Sequence, residues 1–134
     1  MTTQTDTKTV LLVDDDPDFL LQMRVRLEEA GYHVRPAQSQ ADAEQSLAEQ
    51  KPDIAVVDLM MENVDTGFAL CHHIKQADPS IPIIMVSAVT SETGLEFDAG
   101  TEEERAWVKA DAMLAKPIRF EQLAQQINRL LKVQ

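Results

Sequence analysis

Val10-Leu11-Leu12-Val13-Asp14-Asp15-Asp16-Pro17-Asp18 is an apolar run that ends abruptly on three carboxylates and a proline. Four apolar residues without alternation describe a strand covered on both faces, the kind found in parallel sheets. Asp16 and Pro17 then describe a helix start. Asp16 is the N-cap whose oxygen accepts an orphan N–H, and Pro17 takes the first helical position, where its missing N–H costs nothing. Leu20, Met23 and Leu27 give this helix an inward stripe, and Gly31 suits its stop. A buried strand that passes directly into a helix is the first half of a parallel crossover.

Outward from this stretch the same alternation repeats. Residues 32–35 read as a second, weaker strand. Ser39 with Asp42 resembles a capping box opening a helix to about Glu49, with Ala43 and Leu47 one turn apart. Ile54-Ala55-Val56-Val57 is a third strand that ends on Asp58, and a third helix is expected from Thr66 or Gly67 to Ala77, with Phe68, Cys71 and Ile74 on one face. Residues 81–86 read as the fourth strand and residues 112–115 as a short fifth. Phe120, Leu123, Ala124, Ile127 and Leu131 mark a terminal amphipathic helix. Between strands four and five, residues 88–111 are the least regular stretch. Thr101-Glu102-Glu103-Glu104 opens a short helix over residues 102–109, with acids at the positive end of its dipole. Before it, residues 88–100 form a long loop with three acids, Glu92, Glu96 and Asp98, and no base. Strands alternating with helices in this way predict an α/β fold, a parallel five-stranded sheet with helices on both faces and right-handed crossovers. Residues 1–7 are expected to be a disordered tail and residues 8–134 one domain with an enlarged segment at 88–111.

The composition limits the classes of function. A chain of 134 residues, 44% hydrophobic and 26% charged, is the size of one soluble domain and buries about two-thirds of its unfolded surface. With 23 acidic against 12 basic side chains the net charge is −11, so direct nucleic-acid binding by this domain would oppose its own field. A metal cation or a basic partner surface is the natural counterpart. The lone Cys71 forms no internal disulfide and fits a reducing cytoplasm, as a small apolar side chain. No apolar run approaches the ~20 residues needed to cross a bilayer, and the first eight residues lack the apolar stretch of a signal peptide. Membrane and secreted classes are set aside, and a cytoplasmic location is expected.

In an open parallel sheet, ligands bind beyond the carboxyl ends of the strands. That edge collects Asp14 and Asp15 after strand one, Asp58 at the end of strand three, Ser87 after strand four and Lys116 after strand five. Singly, each has an ordinary structural explanation as a cap, a strand end, a loop hydroxyl or a surface charge, and Asp16 is kept as a cap. Together, three carboxylates at one edge repel unless a cation sits among them. Oxygen-only ligands favour Mg2+ over a transition metal. A hydroxyl and an ammonium beside such a cluster suit a phosphoryl group, whose oxygens need charge neutralisation and hydrogen-bond donors.

Four strings in register, VLLVDDDP at 10–17, IAVVDLMM at 54–61, MVSA at 85–88 and AKPI at 115–118, carry a family likeness. From about Lys8 to Leu131 the chain resembles the receiver domain of two-component response regulators. The resemblance implies a doubly wound, flavodoxin-like sheet of order 2-1-3-4-5. It implies that Asp58 is a phosphoacceptor that attacks a kinase phosphohistidine, that Asp15 and Asp58 ligate Mg2+ directly, and that Asp14 helps through water. The backbone carbonyl of Met60 completes the protein's share of the metal shell, Ser87 hydrogen-bonds the phosphoryl oxygens and Lys116 pairs with them. Pro117 fits, because the residue before a proline is held extended. The implied partners are a sensor histidine kinase or phosphotransfer protein upstream and an output partner or domain downstream. The domain would be no enzyme beyond its own phosphorylation and dephosphorylation.

The chain departs from the family pattern in three places. Glu62 stands where the family often has proline, and Gly67 comes one residue late. Met113 occupies the position of the usual aromatic switch residue. The stretch from Ser87 to Lys116 is several residues longer than usual and contains Phe97 and the only tryptophan, Trp107. Two other readings are kept. One is a haloacid-dehalogenase-like Mg2+ phosphatase, with Asp14 as nucleophile and Asp16 completing an Asp-x-Asp pair; the other is a receiver-shaped scaffold that is not phosphorylated. His72 and His73 are adjacent and do not make the i, i+4 pair of a helical metal site.

Overall fold

The computed structural model describes residues 7–58, 64–87, 111–115 and 118–131. In chain order they form β1 (Thr9–Val13), α1 (Pro17–Glu29), β2 (His33–Ala37), α2 (Gln40–Glu49), β3 (Ile54–Asp58), α3 (Val64–Ala77), β4 (Ile83–Ser87), β5 (Ala112–Ala115) and, as the fourth helix among the described residues, α4 (Phe120–Leu131). Every strand pair is parallel and the sheet order is β2-β1-β3-β4-β5, as expected. The helix expected over 102–109 lies outside the described residues, as does the tail except for an exposed Thr7.

The pleat sorts the apolar strands into two cores. Successive side chains on a strand point to opposite faces. Val10 and Leu12 of β1, Ile54 and Val56 of β3, and Ile84 and Val86 of β4 therefore pack with Leu20, Met23 and Leu27 of α1 and Leu123 and Ile127 of α4. Leu11 and Val13, Ala55 and Val57, and Ile83 and Met85 face the other way, onto Ala43 of α2 and Leu70, Cys71 and Ile74 of α3. The sheet thus has α1 and α4 on one face and α2 and α3 on the other. The unbroken apolarity of β1 and β3 follows from this double cover.

Local chemistry sets the helix ends. Asp16 caps α1, its Oδ1 accepting from the Asp18 N–H at 3.0 Å. Gly31, at φ 103°, ends it, while the Gly31 and Tyr32 amides donate back to Glu28 and Leu27. Ser39 caps α2, its Oγ accepting from the Asp42 N–H at 3.1 Å, but the Asp42 carboxylate reaches the Gln38 amide, so the box closes one residue early.

Three boundaries differ from the sequence expectation. The Tyr32 amide closes α1, so β2 starts at His33 and runs on through Pro36. A proline is tolerated there because β2 is an edge strand. The Ile81 amide bonds Asp78 in a turn and Pro82 has no N–H, so β4 starts at Ile83 instead of residue 81. The third helix starts at Val64, ahead of Thr66 and Gly67. Gly67 is carried inside the helix, where a glycine costs only about 1 kcal/mol against alanine.

Candidate functional site

Strand register brings the site residues to one edge. Val13 stands opposite Val57, so Asp14 is level with Asp58; Asp58 in turn stands opposite Val86, and Ser87 opposite Ala115. Asp14, Asp58 and Ser87 therefore follow one another along the carboxyl edge of β1, β3 and β4, with Ala115 of β5 beside Ser87. Asp58 also continues the parity of Ile54 and Val56, on the α1 and α4 side of the sheet.

Asp14 and Asp58 are buried, 1% and 3% exposed, whereas Asp15 is exposed. One carboxylate oxygen from each of the three lies within 4.8 Å of the others. Asp16 is not in this group, because its carboxylate is turned to the Asp18 amide. The loop is held from two directions. The Asp14 N–H donates to Ala37 O at 3.0 Å, tying the turn to the end of β2, and the Asp16 N–H donates to Asp14 Oδ1 at 2.9 Å. The sequence assigns Asp16 only as a cap; the habit of an aspartate to accept from the amide two residues on is the signal that points to this second bond.

Placing anions in a sheet edge of a chain with net charge −11 is costly unless each is partnered. Both Asp14 and Asp58 have partners, and no buried side-chain polar atom among the described residues lacks a hydrogen bond. The donor set suits a hard divalent cation. Around an octahedral Mg2+ with bonds of about 2.1 Å, ligand oxygens stand about 3 Å apart when adjacent and about 4 Å apart when opposite. Carboxylate oxygens that all lie within 4.8 Å of one another are close to that spacing.

Other expected site residues fall elsewhere. Met60, Glu62, Phe97, Trp107, Lys116 and Pro117 lie outside the described residues, and of Ser87 only the backbone is described. Met113 is half-buried against the α2 and α3 core. Cys71 is fully buried, and burial pushes its thiol up to about 12, which makes it inert core. His72 is exposed and His73 Nδ1 pairs with Glu44 across α2 and α3, so the two histidines do not converge.

Residues 10–128 match the family model of the response regulator receiver domain. The chain is 34% identical over 131 residues to the transcriptional regulatory protein GltR of Pseudomonas aeruginosa, covering 93% of this chain and 49% of GltR. It spans about half the length of the curated relatives it matches. Its structure superposes on a CheY-like response regulator receiver domain protein from Methanospirillum hungatei with a TM-score of 0.78 at 23% identity, covering 94% of each chain. It also resembles the response regulator TrrA from Thermotoga maritima, solved in complex with Mg(2+)-BeF, with a TM-score of 0.74 at 21% identity over 92% of this chain and 99% of that one.

Proposed function

The chain belongs to the response regulator receiver domain family, and from that premise we propose that Asp58 is its phosphoacceptor, working at a Mg2+ site formed with Asp14 and Asp15. The observation that carries this reading is the burial of Asp58 and Asp14 side by side at the carboxyl edge, with the exposed Asp15 carboxylate within 4.8 Å. An Asp58 oxygen attacks the phosphorus of a phosphohistidine. The P–O bond forms as the P–N bond breaks, and its electron pair returns to the imidazole nitrogen, which takes up a proton. Mg2+, when bound, neutralises charge on the phosphoryl oxygens. Asp15 and Asp58 would hold it directly and Asp14 would help through water, with the Met60 carbonyl completing the protein's share. Ser87 donates to a phosphoryl oxygen and Lys116 pairs with another. The donor is a sensor histidine kinase or a phosphotransfer protein, an output partner or domain reads the change, and a cytoplasmic location goes with this reading. The domain catalyses its own phosphorylation and dephosphorylation only.

The hydrolase reading does not go forward, since it needs the Asp16 carboxylate beside Asp14 for proton transfer and Asp16 is engaged as the α1 cap. Intact mass after incubation with a small-molecule phosphodonor and Mg2+ tests the proposal. One phosphoryl group, labile to hydroxylamine, is expected on the wild type and none on Asp58→Ala. Uptake by Asp58→Ala but not by Asp14→Ala would overturn it.

A further inference from the structure

At the opposite edge of the sheet from Asp58, Lys75 in the last turn of α3 and Asp111 just before β5 form an ion pair at 3.0 Å. Asp111 is more than a surface partner. Its Oδ2 also accepts from the Ile83 N–H at 2.8 Å, and its own N–H donates to Ile83 O at 2.8 Å. Both backbone groups of the first residue of β4 are thus engaged by the one residue that leads into β5. The Lys75 ammonium, mostly covered, donates further to Ile81 O at 2.7 Å and Pro79 O at 3.3 Å.

A clamp of this kind answers a problem specific to β5. The strand has four residues, Ala112-Met113-Leu114-Ala115, and they are apolar throughout. Register is normally enforced by polar residues that must not turn inward, and here both faces are apolar and both meet helices, so the pattern does not discriminate. Ala112 and Leu114 pack on the α1 and α4 side, Met113 on the α2 and α3 side, and a one-residue slip would exchange one apolar set for another. Such a slip moves the strand by about 3.3 Å along the sheet. Fixing register is the best-attested use of a partly buried ion pair.

We propose that the Lys75–Asp111 pair is a register lock that sets where along the sheet edge β5 delivers Lys116. Asp111 held on Ile83 fixes Ala115 opposite Ser87, and Lys116 is the next residue. Lys75 and Asp111 are positioning residues, about 13 Å of strand from the reacting edge by strand rise. The inference rests on the assignment of Lys116 to the phosphoryl group made above.

The test separates ligands borne by β1 and β3 from the one delivered by β5. Mg2+ affinity and beryllium fluoride affinity in saturating Mg2+ are measured by titration calorimetry on the wild type, Asp111→Ala, Lys75→Met, Lys75→Arg and Lys116→Ala. Ile74→Val serves as a destabilised control in the same layer. Losing a hydrogen bond to a charged group costs about tenfold or more in affinity, so Asp111→Ala and Lys75→Met should lose at least tenfold in beryllium fluoride affinity, as should Lys116→Ala. Their Mg2+ affinity should be unchanged, Lys75→Arg should restore binding, and Ile74→Val should match the wild type. Wild-type beryllium fluoride affinity in Asp111→Ala while Lys116→Ala binds weakly would overturn the lock alone, as would parallel loss of Mg2+ and fluoride binding in Asp111→Ala. Absence of beryllium fluoride binding by the wild type would remove the functional reading and the lock with it, whereas full binding by Lys116→Ala would remove the role of Lys116 and, with it, the lock.

Discussion

Substituting Asp15 by asparagine should stabilise the protein without Mg2+ and destabilise it relative to wild type with Mg2+, so that the two stability curves cross. The carboxylate oxygens of Asp14, Asp15 and Asp58 lie within 4.8 Å of one another. Asp15 is exposed, so water's dielectric is the right one for its interactions, and two unit charges at that separation repel by about 0.9 kcal/mol each. Two such pairs, reduced by nearly half by salt at physiological ionic strength, leave about 1 kcal/mol that Asp15→Asn relieves. Mg2+ acts in the opposite sense. At tenfold excess over its dissociation constant it stabilises the wild type by about 1.4 kcal/mol, which for a domain of this size is about 5 °C in Tm. In the proposed site Asp15 is a direct ligand, so Asp15→Asn should abolish nearly all of that gain. Urea denaturation in EDTA and in 10 mM Mg2+ reads both arms. Stability of Asp15→Asn at or below wild type in EDTA, or a wild-type midpoint indifferent to millimolar Mg2+, would refute the reasoning.

Three further outcomes are expected. The Gln40 amide, and secondarily His73, hold the Glu44 carboxyl below its ordinary range, so Glu44 contributes stability that is fully present above pH 4.5 and is lost as pH falls through its lowered folded value; Glu44→Gln should flatten the acid limb of stability against pH, slightly, because the pair is half exposed. Leu27 is fully buried and Leu21 is 60% exposed on the same helix, so Leu27→Ala should cost about 3 kcal/mol by urea denaturation and Leu21→Ala less than about 0.5 kcal/mol. Ser39→Ala removes the acceptor for the Asp42 N–H and should cost about 1 kcal/mol, with Ser39→Asn restoring most of it.

Residues whose chemistry acts within a few positions were read correctly from sequence. Asp16 before Pro17 caps α1, Ser39 caps α2, and the runs at 10–13 and 54–57 are doubly covered strands. Misplaced boundaries came from prolines and a glycine whose meaning depends on neighbours in space. Pro36 suggests a strand end until β2 is known to be an edge, and Ile81 looks like strand until its amide is found closing a turn. The carboxylate cluster was legible because parallel topology carries strand ends to one edge whatever the connecting helices do. Contacts across long separations left no local trace. Lys75 with Asp111, Glu44 with His73, and the Tyr32 hydroxyl with Asn128 across the α1 and α4 layer join residues that no periodicity relates.

The burial of Cys71 makes the molecule its own reporter. With its sulfur fully buried and its thiol pushed up to about 12, Cys71 is unreactive in the closed state. A disulfide reagent in excess high enough for labelling to outpace reclosing therefore reacts at the rate at which the α2 and α3 layer opens and exposes that sulfur. No engineered label is needed and, with one cysteine in the chain, no second signal interferes. Because α1 and α4 pack on the other face of the sheet, comparing this labelling rate with the global unfolding rate shows whether the layers part together or one at a time. The same measurement repeated with Mg2+ or beryllium fluoride present gives the opening rate of one layer as a function of occupancy at the sheet edge.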